Sequence, residues 1–146
     1  MGIRVSLYEI GTILNSYNNF LIISLIPLEA AKNKFKSFEI LRLGEVLSNE
    51  LIQVDKGRRE FEVENVTRQI FDRIGTSKII VSDIDILFNP AYRLDIIKLF
   101  MQLARNKKMI VQWPGESNSE FLIYSELKYD DYKRYAINDY DIICLE

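Results

Sequence analysis

The chain has 146 residues, 48% of them hydrophobic and 27% charged, which is the size and composition of a single globular domain spanning 1–146. Its 19 basic and 21 acidic residues leave a net charge of -2, so no bulk basic excess points to nucleic acid and no acidic tail to a solvating role. It has no histidine and one cysteine, Cys144, which removes Ser-His-Asp and Cys-His catalysis, most zinc sites and any intramolecular disulfide.

The lone thiol fits a reducing, cytoplasmic setting. MGIRVSLYEI has no long apolar stretch with a small-residue cleavage site, so no signal peptide is read there. The longest apolar run, FLIISLIPL, falls short of the roughly 20 residues that a membrane span needs.

In chain order, Ile3, Leu7, Ile10, Leu14 and Tyr17 recur at helical spacing and predict an amphipathic helix over 4–17. FLIISLI, 20–26, is continuously apolar and β-branched, like a strand buried on both faces of a parallel sheet. A short helix over 29–36 and a strand over 38–43 follow. Helices are predicted over 44–53 and 59–74, the second with Val63, Val66, Ile70 and Ile74 on one face. Gly75 stands where a C-cap glycine belongs. The charged stretch VDKGRRE, 54–60, reads as a loop between them.

KIIVSDIDIL, 78–87, reads as a strand ending in acids. Asn89 and Pro90 then suit the N-cap and first turn of a helix reaching about Arg105. MIVQW, 109–113, is another buried strand, stopped by Pro114-Gly115. FLIYSE, 121–126, and DIICL, 141–145, look like late edge strands around a tyrosine-rich segment. Strands alternating with helices predict an α/β domain, three layers α/β/α, around a mainly parallel sheet.

In such a sheet ligands gather at the carboxyl ends of the strands. Three ends carry chemistry: Ile26-Pro27, Ser82 to Asp85, and Gln112-Trp113. An aspartate at a strand end holds Mg²⁺, and a second acid orients an attacking water. The same alternation serves as an ordinary turn cap. Lys32 and Asn33 fall where G-x-x-x-x-G-K-[ST] would put its lysine and hydroxyl, but the glycines are replaced by Ile26 and Ala31. Pro27 removes an N–H, and Glu29 adds negative charge. Only five residues separate Lys32 from the next strand, so 29–36 reads as the crossover helix itself, with Lys32, Lys34 and Lys36 on a solvated face. Arg105, Lys107, Lys108 and Trp113 make a small basic and aromatic group that suits nucleic acid. It equally suits a helix C-terminus beside a core indole.

The run DIDILFNPAYRLDIIKLFMQLARNKKMIVQWPG, with FLIYSE and YKRYAINDYDII after it, resembles BrxF, the small P-loop protein family of type 3 BREX bacteriophage-defence systems. The resemblance covers residues 78–143 well and the first half only by order of elements. It implies a P-loop NTPase core in an antiviral protein complex whose other subunits are a large ATPase, a DNA methyltransferase and a phosphatase-like protein. Aligned through Ile86-Leu87-Phe88, the family's metal-side Asp falls on Ser82, with Asp83 beside it, Asp85 as the later acid and Gln112 near the γ-phosphate sensor. With the Walker A loop degenerate and the Walker B aspartate displaced, the expectation is an accessory pseudo-ATPase with no catalytic residue, no metal ligand and no required cofactor. Its remnant site would be Lys32, Asn33, Asp83, Asp85 and Gln112, with Asp83 held by Lys32 or by backbone N–H groups after Ile26. Two other readings stand beside it: an active ATPase binding ATP and Mg²⁺ in a non-standard loop, and a DNA-binding adaptor.

Overall fold

The computed structural model describes residues 1–146. Six parallel strands form the main sheet: β1 (Ile3–Val5), β2 (Phe20–Ser24), β3 (Glu39–Arg42), β4 (Lys78–Ser82), β5 (Lys108–Gln112) and β9 (Ile143–Leu145). Their spatial order is β1-β9-β2-β5-β4-β3. Helices α1 (Ile10–Ser16) and α2 (Leu28–Lys34) cover one face, through Ile10, Ala31 and Phe35. Helices α3 (Leu43–Leu51), α4 (Arg59–Arg73) and α5 (Ile96–Leu103) cover the other, against Leu21, Ile23, Ile79, Val81, Met109 and Val111. Connections that step toward β3 use the first face and those that step back use the second, as one hand of crossover requires. A small antiparallel sheet of β6 (Glu116–Ser117), β7 (Phe121–Tyr124) and β8 (Lys133–Ala136) packs beside α5.

The register brings one isoleucine from every strand into line: Ile3, Ile143, Ile22, Ile110, Ile80 and Ile40. Ile22, Ile110 and Ile80 are buried, Ile143 is partly buried, and the two ends of the row, Ile3 and Ile40, are 44% and 41% exposed at the sheet edges. Two residues further along the same face, the row changes character: Ser24 pairs with Gln112 and Arg42 with Ser82. Two residues the other way, Phe20 pairs with Lys108, and Lys108 with Lys78.

Several boundaries depart from the sequence expectation. The 4–17 helix is a strand followed by a shorter helix, because Val5 and its neighbours complete the sheet against β9. A reciprocal capping pair, Ser6 N–H to the Glu9 carboxylate and Glu9 N–H to the Ser6 hydroxyl, starts the turn into α1. β9 is interior rather than an edge strand, since β1 lies outside it. Strand 121–124 joins the small sheet instead. The helix expected from Asn89 to Arg105 breaks: Asn89 caps only a short 3-10 turn, Arg93 turns left-handed at φ 51°, and Asp95 caps α5 anew. Gly75 is not a left-handed C-cap. The exposed carbonyl ends after α4 are met by Lys107, whose Nζ donates to the carbonyls of Ile74 (3.4 Å) and Thr76 (3.0 Å).

The isoleucine row sets an energetic contrast. Ile110→Ala removes a fully buried side chain and is expected to cost about 2–5 kcal/mol. Ile40→Ala, at the edge, is expected to cost less than about 1.5 kcal/mol. Urea unfolding of both variants checks the ranking.

Candidate functional site

β2 leaves the sheet toward one face and its neighbour β5 toward the other, so a crevice opens between their carboxyl ends. There a cleft of about 560 Å³ is lined by Lys32, Arg42, Ser82, Asp83, Asp85 and Gln112, with Leu28, Ile40 and Pro114 completing it. Four of the five remnant-site residues named from sequence therefore meet in one place. Asn33 does not line it and lies exposed on α2.

Each member has an identifiable cause. Lys32 projects from the middle of α2, where its Nζ pairs with Glu29 of the same helix at 3.3 Å. The expected tie from Lys32 to Asp83 is not made, and no backbone N–H reaches the Asp83 carboxylate; the i,i+3 acid on the lysine's own helix is the nearer partner. Asp83 adopts a left-handed backbone, φ 59°, an uncommon state that aspartate tolerates better than most residues. This turns its carboxylate over the first turn of α3, a favourable position for a negative charge. Gly44 makes the approach feasible. A Cβ there would meet the Asp83 carboxylate and lie 2.7 Å from its carbonyl oxygen.

Asp85 accepts a hydrogen bond from the Tyr124 hydroxyl at 3.1 Å, and the Tyr124 ring stacks on Phe88 with centroids 3.7 Å apart. Burial first, and the Asp85 carboxylate second, push the Tyr124 hydroxyl up to about 12, so it remains a donor through the neutral range. Gln112 Nε2 donates to the Ile26 carbonyl at 2.8 Å and ties β5 to the chain leaving β2. Its Oε1 and the hydroxyl of its register partner Ser24 are the two buried side-chain polar atoms without a hydrogen-bond partner. Arg42, exposed at the end of β3, has no carboxylate partner.

The connection from β2 to α2 is three residues, Leu25, Ile26 and Pro27. None has positive φ, so there is no alternation of hand that would turn successive N–H groups onto a phosphate. The cleft holds two cations, Lys32 and Arg42, against two carboxylates, Asp83 and Asp85. Sequence reasoning missed Arg42 and Tyr124. Arg42 was legible as the polar end of an apolar strand; Tyr124 arrives from the small sheet and gave no local signal.

The nucleic-acid group holds together only in part: Arg105 and Lys107 line one cleft, while Lys108 and Trp113 lie elsewhere. Lys107 is spent on the carbonyls after α4. Trp113 is 4% exposed, its Nε1 donates to the carbonyls of Glu116 and Ile123, and its ring meets Phe88 and Tyr135 edge-on, so it offers no face to a base. Arg105 lines a cleft of about 580 Å³ with Asp141, Ile3 and Met101, and shares a more polar one of about 640 Å³ with Lys107 and Arg68. Lys108 points to the face opposite the α5 side.

Gly44→Ala forces apart α3 and the Asp83 turn and is expected to cost about 1–3 kcal/mol. Gly57→Ala, with no atom within 4 Å of the new Cβ, is expected to stay within about 0.5 kcal/mol of the parent. Thermal melts of the two variants side by side check the close approach.

No protein-family model, no curated protein and no solved structure matches the chain, so its function is argued from this cleft and from the motifs that line it.

Proposed function

We propose that the chain is an accessory, non-hydrolysing P-loop NTPase-like subunit of a BREX-type bacteriophage-defence complex. One observation carries the first half of this reading. The three strand ends that a P-loop ATPase uses converge on a single cleft, yet the β2–α2 connection has neither the length nor the backbone to cradle phosphate. The balance of charge supports it. Asp83 and Asp85 offset Lys32 and Arg42, and Lys32 is already paired with Glu29, so nothing in the cleft favours a bare triphosphate. Phosphoryl transfer depends on preorganised positive charge and metal, and this cleft supplies a net charge near zero. The defence assignment rests on the resemblance over 78–143. Partners would be the large ATPase, methyltransferase and phosphatase-like subunits, with DNA reached through them. The burial of Trp113 and Lys107 weighs against a direct DNA-binding adaptor built on that group.

With Mg-ATP, the purified protein is expected to release phosphate no faster than its Lys32→Ala variant. Phosphate release that disappears in Lys32→Ala would establish the active-ATPase reading instead. Co-expression with a type 3 BREX gene set tests the subunit role. Retention of one of the three partners on the tagged protein supports it, and passage of all three through the column removes it.

A further inference from the structure

At the opposite, amino ends of the strands, on the face covered by α1 and α2, four lysines line one small cleft of about 200 Å³. Lys78 and Lys108 come from β4 and β5, and Lys34 and Lys36 from the end of α2 and the residues just after it. Asn15 and Ser37 add neutral polar groups, and no aspartate or glutamate lines the cleft. None of the four ammonium groups has a salt bridge or a side-chain hydrogen bond within the protein.

Lys78 and Lys108 are the notable pair. They are register partners on adjacent parallel strands, both half-buried, on strands only about 4.8 Å apart. Like charges placed side by side in a sheet are destabilising. Six cations elsewhere, Arg4, Arg58, Arg68, Arg73, Lys32 and Lys128, have a carboxylate within 4.0 Å, whereas none of these four lysines does. In a chain of net charge -2, these four lysines gather in one cleft whose lining includes no carboxylate.

We propose that this cleft binds a compact polyphosphate, free pyrophosphate or the phosphate tail of a nucleotide, through Lys34, Lys36, Lys78 and Lys108. The charge excludes a cation and the absence of any carboxylate excludes a zwitterion. The volume suits two linked phosphate groups. Phe20 and Phe35 are buried beneath the lysines, and a low-polarity floor of that kind strengthens charge pairing above it. The site is separate from the carboxyl-end cleft, the isoleucine row lying between them.

The test is a thermal melt with sodium pyrophosphate, free of divalent metal, at fixed ionic strength. Pyrophosphate is expected to raise the melting temperature, and added salt to diminish the rise. Lys108→Gln and, on a separate element, Lys34→Gln are each expected to weaken pyrophosphate binding at least tenfold. Lys108→Gln should also melt higher than the parent without anion, because the like-charge pair is relieved; a lysine with only a structural role would melt lower. Lys128→Gln, on the exposed 125–132 segment, should bind like the parent. Repeating the melt with ATP in place of pyrophosphate separates the two sources: equal shifts mean that the phosphate tail alone is read, and a larger ATP shift, still lost in Lys108→Gln, means a nucleotide. The proposal is overturned by no shift with pyrophosphate, by a shift retained in both lysine variants, or by an equal shift with sodium sulfate. A short single-stranded oligonucleotide that binds where pyrophosphate does not would also overturn it.

Discussion

Register is the constraint on which the rest of the molecule hangs. In a sheet with one solvated face, a one-residue slip turns the apolar side chains out and is forbidden by hydrophobicity. Here both faces of the inner strands are apolar, so Ile22, Ile110 and Ile80 could be replaced by Leu21, Met109 and Ile79 with little change in burial. What fixes the alignment is polar chemistry at the two ends of the strands. Ser24, Gln112 and Ser82 close the row at the carboxyl ends, and Lys78 and Lys108 close it at the amino ends. A slip would drive one set beneath the helices.

The same argument explains why the two clefts lie where they do. Polar residues that fix register must sit where they meet solvent or a partner, so each end of the sheet becomes a place where side chains converge. At the carboxyl ends the outcome is incomplete satisfaction. Ser24 Oγ and Gln112 Oε1 remain without partners, at a typical cost of about 1–3 kcal/mol for each such atom. Together with the left-handed Asp83, that places unrelieved strain at the crevice rather than in the hydrophobic layers on either side.

Much of this was legible in the sequence. Continuous apolar strands marked the parallel sheet, and FLIISLI and KIIVSD both fall in interior strands. Strand ends rich in Asp, Ser and Gln marked the cleft before any geometry was known. The failures were tertiary. Residues 3–5 satisfy a helical period and a strand alternation alike, and only the presence of β9 decides between them. Arg93 carries no signal for a left-handed break in a helix. Arg105, Lys107 and Lys108 are close in sequence, yet strand alternation sends Lys108 to a different face from the cleft that Arg105 and Lys107 share. The lysine cluster had no local signal for the same reason: its members span 74 residues, from Lys34 to Lys108, and only the β4–β5 register together with the packing of α2 on the sheet unites them.

The small sheet is held to the main body chiefly through aromatic contacts. Trp113 meets Phe88 and Tyr135 edge-on, Tyr124 stacks on Phe88, and Tyr135 meets Tyr140. Trp113 is the protein's single tryptophan. Its fluorescence is therefore an optical gauge of one junction, undiluted by other indoles. Release of β6–β8 from the main sheet would wet this indole and move its emission to longer wavelength while the circular dichroism of the helices stayed constant. The protein thus carries an intrinsic reporter that separates loosening of its small sheet from unfolding of its core.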